Sequence, residues 1–225
     1  MLFEIKYTFK IYRTSSQRKH LIRWLSSLKK NYLLDKKQPW LVFDAVDFLN
    51  SLDLKGKRIF EYGSGGSTLF WMEKQTKCIS VEHDPFWFNV IKVKLDVTSS
   101  VDYRLVLPEF CHDVVGFDPS DPNAYSSDDI NFREYRFYDY VTQIEQFPDK
   151  YFDIVLVDGR ARPSCIKHSS KKVKDGGYLI VDNSDRDYYF ERTRVCFADF
   201  KEKKFVGVAP ATMIFASTSF FIKNG

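Results

Sequence analysis

The sequence lacks the clustered cysteines of a disulfide framework or a zinc site. Its four cysteines, Cys78, Cys111, Cys165 and Cys196, are widely spaced, and no Cys-x-x-Cys pair occurs. Isolated cysteines of this kind are typical of reduced thiols in cytosolic proteins. We therefore expect a cytoplasmic protein whose thiols are free.

Long apolar runs and a strong net charge are also lacking. No run approaches the length of a membrane span, and charges interrupt the apolar residues that begin the chain, so we expect neither a membrane span nor a signal peptide. The formal charge of +4 makes nucleic acid an unfavoured partner. What is present is 225 residues with 44% hydrophobic and 17% aromatic content, enough for one large domain with a terminal extension.

The chain is organised around a glycine-rich segment. Ile59-Phe60 leads into Glu61-Tyr62-Gly63-Ser64-Gly65-Gly66-Ser67-Thr68, after which apolar residues resume. An apolar strand, a glycine turn and a helix start capped by Ser67 or Thr68 form a site where α/β proteins hold anionic or zwitterionic ligands. The alternative is a plain surface turn, since this composition also occurs in linkers.

From Arg58 onward, short apolar strands alternate with helical patterns, which predicts an α/β fold with a mostly parallel sheet covered on both faces. The predicted strands are 58–62, 78–82, 103–107, 152–157 and 178–181, and the predicted helices are 67–75, 85–94, 137–146, 163–173 and 188–200. Two further strand-like runs, 205–210 and 218–222, are joined by a loop too short for a helix. They should pair antiparallel at the edge of the sheet.

Two regions outside the alternating strands and helices allow more than one interpretation. Residues 1–37 form an N-terminal extension in which an amphipathic helix places Leu21, Trp24, Leu25 and Leu28 on one face and basic residues on the others, whereas residues 3–11 fit a strand or a helix equally well. The basic side is either a solvated face or a patch for a membrane surface, an anionic substrate or a partner. Another helix should begin at Pro39, and residues 108–136 form a long insert with the character of a lid or a binding loop.

Residues 38–225 resemble the class I S-adenosylmethionine-dependent methyltransferases. The loop from Glu61 to Gly66 is similar to that family's acid-x-Gly-x-Gly turn, and the terminal hairpin is similar to its sixth and seventh strands. The resemblance implies a doubly wound, Rossmann-like sheet of seven strands with S-adenosylmethionine over the carboxyl ends of the first strands. The cofactor-binding residues that it implies are Glu61, Tyr62, Gly63, Ser64, Gly65, Ser67, Thr68, Glu82, His83 and Asp158.

A second acid supports a ribose-containing cofactor independently. Glu82 ends the second predicted strand, 19 residues after Gly63, at a spacing where an acid can accept hydrogen bonds from ribose hydroxyls. Nicotinamide-dependent oxidoreductases share this spacing and are the first alternative. Against them, the third glycine position of a dinucleotide motif that begins at Gly63 holds Thr68, and the sheet ends in a hairpin.

Polar residues at two further strand ends indicate the chemistry. Asp158 follows the fourth predicted strand and Asp182-Asn183 follows the fifth, with Arg160 beside the first of these ends. We predict that Asp158, Arg160 and Asn183 are catalytic, either by positioning the substrate or by general base catalysis. The set Asp158, Asp182 and Asn183 also resembles the metal ligands of catechol-type O-methyltransferases, but that family has a lysine where this chain has Ala161, so we do not expect Mg²⁺ to be required.

The sequence therefore predicts an enzyme, an S-adenosylmethionine-dependent methyltransferase that acts on oxygen of a small-molecule acceptor. The insert should select the acceptor, with Tyr125, Phe132 and Tyr135 available for stacking and Arg133 or Arg136 for an anionic group. The second alternative is a protein of this fold that binds a ligand or partner without catalysis. An RNA methyltransferase is less favoured because the net charge is small.

Overall fold

The computed structural model describes residues 2–111 and 118–225. Its main sheet has seven strands in the order β3-β2-β1-β6-β7-β9-β8. The first five of these strands are parallel, while β9 runs antiparallel to both β7 and β8. The predicted fold class and the terminal hairpin are therefore confirmed.

The strands 58–62 and 152–157 begin and end where the apolar pattern predicts them, because each is a short hydrophobic run between helices. The strands predicted from 178 and from 205 each begin five residues earlier, at Val173 and at Phe200. The strands of the main sheet are β1 (Arg58–Tyr62), β2 (Lys77–Glu82), β3 (Val101–Leu105), β6 (Phe152–Val157), β7 (Val173–Asp182), β8 (Phe200–Val208) and β9 (Phe215–Lys223). A separate two-stranded hairpin of β4 (Glu109–Phe110) and β5 (Tyr135–Arg136) closes the base of the insert. Residues 112–117 of the predicted insert lie outside the described residues.

The helices cover both faces of the sheet and enclose two large apolar cores. One core lies under α7 and α8 around Phe60, Val155 and Leu179, and the other lies under α4 and α5 around Ile59, Leu156 and Ile180. The helices are α1 (Leu2–Arg13), α2 (Leu21–Ser27), α3 (Tyr32–Asp35), α4 (Phe43–Asn50), α5 (Gly66–Glu73), α6 (Pro85–Lys92), α7 (Tyr138–Thr142) and α8 (Arg162–Ser169). Within the described ranges, no helix has the length and apolar character needed to cross a membrane.

Several predicted helix boundaries are wrong. The helix expected from Pro39 begins at Phe43, and the helix expected over 163–173 ends at Ser169 because Val173 already belongs to β7. Residues 188–200 form two short 3₁₀ turns, at Asp187–Tyr189 and Arg194–Phe197, before β8 begins. Closely spaced tyrosines and phenylalanines gave that region a helical pattern, but they instead pack against the end of the sheet.

The N-terminal extension is helical and packs on the hairpin formed by β8 and β9. Residues 3–11 belong to α1, which buries Tyr7 and Ile11 in a cluster with Trp24 and Val208. Indole and phenol groups fix this contact, because Trp24 donates a 2.8 Å hydrogen bond to the carbonyl of Thr212 and Tyr7 donates one of 2.7 Å to the carbonyl of Ile214. The expected single apolar face of α2 is only partly buried, since Leu25 and Leu28 are exposed.

Candidate functional site

A cavity of about 890 Å³ lies over the carboxyl ends of β1, β2, β6 and β7. Its volume falls within the range of roughly 300–1,000 Å³ typical of cofactor and small-molecule sites. The edge of the sheet on which it lies is the one where open α/β sheets bind ligands. The predicted site residues that line it are Gly63, Ser64, Gly65, Ser67, Glu82, His83, Asp158, Arg160, Asp182 and Asn183.

The glycine loop forms the floor of this cavity through bare backbone. Gly63 has φ = +85°, and a Cβ atom there would lie 2.7 Å from Cα of Gly159 in the loop after β6. A Cβ atom on Gly66 would lie 2.2 Å from the carbonyl oxygen of Gln38 and 2.7 Å from that of Leu33. These glycines therefore let three chain segments meet where any larger residue would force them apart.

Helix α5 begins differently from the sequence prediction. Its N-cap is Gly65, so Ser67 and Thr68 lie within the first turn and neither is the cap. Thr68 Oγ1 accepts a 3.0 Å hydrogen bond from the Gly65 N–H and donates one of 2.6 Å to Glu61. The threonine hydroxyl thus ties the loop to the strand that precedes it.

Three of the predicted cofactor-binding residues support the loop from beneath and do not line the cavity. Glu61 is fully buried and accepts hydrogen bonds from Trp71 Nε1 at 2.9 Å and Ser80 Oγ at 2.5 Å, besides the one from Thr68. Burial raises the pKa of the Glu61 carboxyl, although these hydrogen bonds act in the opposite direction. Tyr62 donates a 2.6 Å hydrogen bond to the carbonyl of Val141. Glu61, Tyr62 and Thr68 therefore contact the loop and its surroundings in this structure, and the cavity lining does not include them.

Glu82 is the acid that reaches the cavity from the end of β2. Its Oε2 accepts hydrogen bonds from Ser64 N at 3.0 Å and Ser64 Oγ at 2.7 Å, while Oε1 accepts from the N–H groups of His83 and Asp84. Burial alone would raise the pKa of Glu82, but the interactions with His83, Asp84 and Ser64 outweigh it and lower that pKa. The group is held as a carboxylate, which is the form that accepts hydrogen bonds from hydroxyl groups.

The ring of His83 lies beside the same carboxylate. Its Nδ1 is 2.8 Å from Glu82 Oε1, but this nitrogen is buried and makes no well-aligned hydrogen bond among the described residues. The ring packs edge-on against Phe132, with 5.0 Å between centroids. Phe132 comes from the insert and also lines the cavity, so the insert contributes directly to its wall.

A half-buried arginine connects the ends of β6 and β7. Arg162 Nη2 donates to both Oδ1 and the carbonyl of Asp158, at 3.0 and 3.1 Å, and its Nη1 donates to the carbonyl of Asp182 at 2.5 Å. Asp182 Oδ1 accepts a 2.6 Å hydrogen bond from Thr218. Arg162 lies between two strand ends, and this position depends on the pairing of β6 with β7, which no local sequence pattern shows.

The two carboxyls at these strand ends are harder to ionise than ordinary aspartates. Burial and the neighbouring Asp182 carboxylate raise the pKa of Asp158 well above its usual value, although Arg162 acts in the opposite direction. Burial likewise raises the pKa of Asp182 to about 6. Two acids therefore share one fixed positive charge, that of the guanidinium.

The residues proposed from the resemblance as Mg²⁺ ligands do not fit a divalent ion well. Arg162 already bonds to an Asp158 carboxylate oxygen, and Thr218 occupies an oxygen of Asp182. A divalent site needs several free oxygen atoms that converge on one point, without a competing cation. The guanidinium supplies the positive charge that a metal would supply between these strand ends.

Ion pairs attach the described part of the insert to the cavity rim. Arg160 Nη2 lies 2.7 Å from Asp129, and Arg186 Nη1 lies 3.1 Å from Asp128. Asn183, with φ = +52°, turns the chain after β7 beside this rim. Tyr125 does not line the cavity, and its hydroxyl lies 3.2 Å from Nε2 of His168.

Two groups expected in the insert have structural contacts instead. Tyr135 pairs with Phe110 in the small hairpin, and Arg136 pairs there with Glu109. Neither Tyr135, Arg136 nor Arg133 lines the cavity.

One wall of the cavity was not predicted from the sequence. It is lined by Ser27, Lys29, Tyr32 and Trp40 from the extension and the segment after it, together with Ala209, Ala211 and Thr212 of the β8–β9 turn. Trp40 is fixed by a 2.8 Å hydrogen bond from its indole N–H to the carbonyl of Pro210. Contacts that span 170 residues or more leave no local signal, and the only hint in the sequence is an aromatic residue directly after Pro39.

No protein-family model matches the chain, and no curated protein matches it in sequence. Solved structures do match its fold. A provisionally named O-methyltransferase from Klebsiella pneumoniae is 16% identical, with a TM-score of 0.59, over 96% of this chain and all of that one. An O-methyltransferase from Bacillus cereus in complex with SAH is 15% identical, with a TM-score of 0.53, over 88% of this chain and 91% of that one. A methyltransferase-like protein from Silicibacter pomeroyi is 20% identical, with a TM-score of 0.51, over 84% of this chain and 91% of that one. The chain therefore has the class I fold of S-adenosylmethionine-dependent methyltransferases.

Proposed function

We propose that the protein is an S-adenosylmethionine-dependent methyltransferase that acts on a hydroxyl oxygen of a small-molecule acceptor. The observation that carries the proposal is the cavity over the strand ends, where the glycine-rich loop, the Glu82 carboxylate and the Asp158–Arg162 pair meet. Its fold is shared with an O-methyltransferase from Bacillus cereus solved in complex with SAH.

The residues at the first two strand ends fit this cofactor. The loop from Gly63 to Gly66 presents backbone and the start of α5, which suit the amino-acid carboxylate of the ligand. Glu82 is held ionised at the spacing of a ribose-binding acid. Ser64 must turn its hydroxyl away from Glu82 Oε2 for that carboxylate to accept a ribose hydroxyl.

The bound cofactor would supply an electrophilic methyl group on a sulfonium, so the chain has to align the acceptor, exclude water and help remove a proton. Asp158 suits the last task, because its raised pKa makes its ionised form a stronger base than an ordinary aspartate. Arg162 holds that carboxylate in place. Asn183 and Arg160 lie on the rim, where an acceptor would meet the insert.

Calorimetry with S-adenosylhomocysteine tests cofactor binding. We expect micromolar affinity for the whole protein and no binding of NADH under the same conditions. Tight NADH binding without S-adenosylhomocysteine binding would instead favour an oxidoreductase.

Radiolabelled S-adenosylmethionine with a panel of phenols, catechols, amines and thiols tests the chemistry. We expect label on oxygen, and replacement of Asp158 by Asn should lower kcat by about 10²-fold or more, as expected for loss of a general base. Cofactor binding without transfer to any acceptor would favour a non-catalytic binding protein.

A further inference from the structure

The N-terminal extension carries a positive charge that the rest of the chain does not share. Residues 1–37 contain ten Lys or Arg and two Asp or Glu, a net charge of +8. The whole chain carries +4, so residues 38–225 carry −4. A concentration of one sign of charge on one segment is typical of a surface that meets an oppositely charged partner.

Helix α1 has two apolar stripes, and only one of them is buried. Tyr7 and Ile11 pack into the cluster with Trp24. Ile5, Phe9 and Tyr12, at i, i+4 and i+7 on the opposite side, are exposed, and Ile5 keeps 60% of its surface accessible. A second apolar stripe on a helix that is already packed indicates that something else covers it.

A basic stripe runs directly beside the exposed apolar one. Lys6, Lys10 and Arg13 have the same i, i+4, i+7 spacing, and the Arg13 guanidinium lies over the Phe9 ring at 4.3 Å from its centroid. None of these three residues belongs to an ion pair found among the described residues, whereas Lys19 of the same segment is paired with Asp44. Lys10 Nζ also lies 4.3 Å from the centroid of the Phe215 ring, which packs against the cluster around Trp24. The outer side of α1 is therefore amphipathic.

Neighbouring segments extend this surface. Ile22 and Leu25 of α2 are exposed, Ile22 to 79%, on either side of the buried Trp24. Ile214 of the β8–β9 turn is 66% exposed, and its carbonyl accepts the hydrogen bond from Tyr7. These three segments all contact the packed cluster around Trp24. Their exposed residues, which we call the N-terminal docking surface, are Ile5, Lys6, Phe9, Lys10, Tyr12 and Arg13 of α1, Ile22 and Leu25 of α2, and Ile214 of the turn.

We propose that the N-terminal docking surface binds the surface of an anionic lipid bilayer. Helices with apolar side chains beside Lys and Arg lie in the headgroup region of such bilayers, where apolar burial and attraction to anionic lipids add together. The proposal goes beyond methyl transfer and does not depend on it.

Two other occupants agree less well with these observations. A second copy that used the same patch would bring Lys6, Lys10 and Arg13 of two chains together, which opposes a two-fold contact. Single-stranded nucleic acid would use the basic residues and some aromatic rings, but it would leave the exposed aliphatic Ile5, Ile22 and Leu25 without a partner.

The surface lies next to the cavity. Ser27 of α2 and Thr212 of the β8–β9 turn line the cavity wall, so two of the segments that carry the surface also contribute to the cavity.

Co-sedimentation of the full chain with vesicles tests the proposal. Vesicles of phosphatidylcholine alone are compared with vesicles that contain phosphatidylserine, at low and high salt. We expect binding only to the anionic vesicles, and weakening by salt because charges contribute to it.

Two variants separate the charged and apolar contributions. Lys6→Glu/Lys10→Glu/Arg13→Glu should weaken binding at least about tenfold, because each basic residue near the membrane contributes to attraction. Ile5→Ser/Phe9→Ser keeps the charge and should also weaken binding severalfold. The matched controls are Lys55→Glu/Lys77→Glu/Lys94→Glu and Val97→Ser/Val195→Ser, which change exposed residues outside the extension. Each control removes as many charges or apolar side chains as the matching α1 variant, and we expect it to weaken vesicle binding less than that variant does.

Several outcomes would overturn the proposal. The first is no binding to anionic vesicles at low salt, and the second is an equal loss of vesicle binding in the α1 variants and their controls. The third is a concentration-dependent dimer that the Ile5→Ser/Phe9→Ser variant abolishes. Salt-sensitive RNA binding that exceeds vesicle binding would also overturn it. Circular dichroism of every variant verifies that the fold is retained.

Discussion

A Cβ atom placed on Gly63 would lie 2.7 Å from Cα of Gly159. The loops after β1 and β6 are thus in direct backbone contact, and the hydrogen bond from Asp158 N to the carbonyl of Tyr62, at 3.0 Å, holds them together. This contact forms the floor of the cavity, so the cavity depends on the absence of a side chain at Gly63.

Replacement of Gly63 by Ala should abolish S-adenosylhomocysteine binding. The methyl group would force the two loops apart, and φ = +85° adds about 1 kcal/mol of backbone strain. Calorimetry measures the loss. Gly56→Ala is the matched control, since Gly56 also has positive φ (+72°) but a Cβ atom there would meet nothing within 4 Å. Gly56→Ala should lower the stability of the protein by a similar backbone strain, while its affinity for S-adenosylhomocysteine stays unchanged. Unchanged affinity in Gly63→Ala would show that the cofactor lies elsewhere.

Methyl transfer should not require a divalent metal, because Arg162 provides the cation between Asp158 and Asp182. EDTA should leave the rate unchanged, and Mg²⁺ should not shift the melting temperature of the protein. Arg162→Lys keeps a positive charge but loses the fork that bonds to both strand ends, so kcat should fall about tenfold or more while the affinity for S-adenosylhomocysteine changes less. Restoration of EDTA-treated enzyme by Mg²⁺ would contradict this assignment.

The stability of the protein should depend on ionisation of Asp182. The pKa of this carboxyl is raised in the folded state to about 6, so the folded protein binds the proton more tightly than the unfolded chain does. The stabilising effect of the bound proton is complete below the ordinary pKa of an aspartate and is lost as the pH rises through about 6.

Urea unfolding between pH 4 and pH 7.5 measures this effect. Asp182→Asn should lose that part of the pH dependence, whereas Asp53→Asn, which changes an exposed acid, should retain it. Identical pH profiles for the wild type and Asp182→Asn would show that the aspartate titrates normally.

The ion pairs of the insert should affect acceptor binding more than chemistry. Asp128 and Asp129 pair with Arg186 and Arg160 at partly exposed positions, where each pair contributes at most ~1 kcal/mol. Asp128→Asn/Asp129→Asn should therefore raise the KM of the acceptor about threefold to tenfold with little change in kcat, and added salt should have the same effect on the wild type.

Steady-state kinetics checks this prediction. Asp102→Asn removes a comparable exposed pair with Arg104 on β3 and is the control, for which no change is expected. A fall in kcat with unchanged KM would place these aspartates in the chemical step instead.

Much of the fold was predictable because the signals are local. The strands 58–62 and 152–157 were predicted to the residue, since each is a short apolar run with polar neighbours. The hairpin of β8 and β9 was predictable because two strand-like runs are joined by a loop too short for a helix. The predicted helix over 188–200 failed because its aromatic residues pack on the sheet end, and no pattern within the segment distinguishes that from a helix face.

By itself, the sequence determined the alternation of strands and helices, the glycine loop and the acids at the strand ends, because these depend on neighbouring residues. Only the tertiary structure decided that Glu61 supports the loop from below while Glu82 faces the cavity, and that Arg162 joins Asp158 to Asp182. It also decided that Trp40 and the β8–β9 turn form one wall together. These relationships depend on strand order and on contacts between distant segments, which hydrophobic periodicity does not encode.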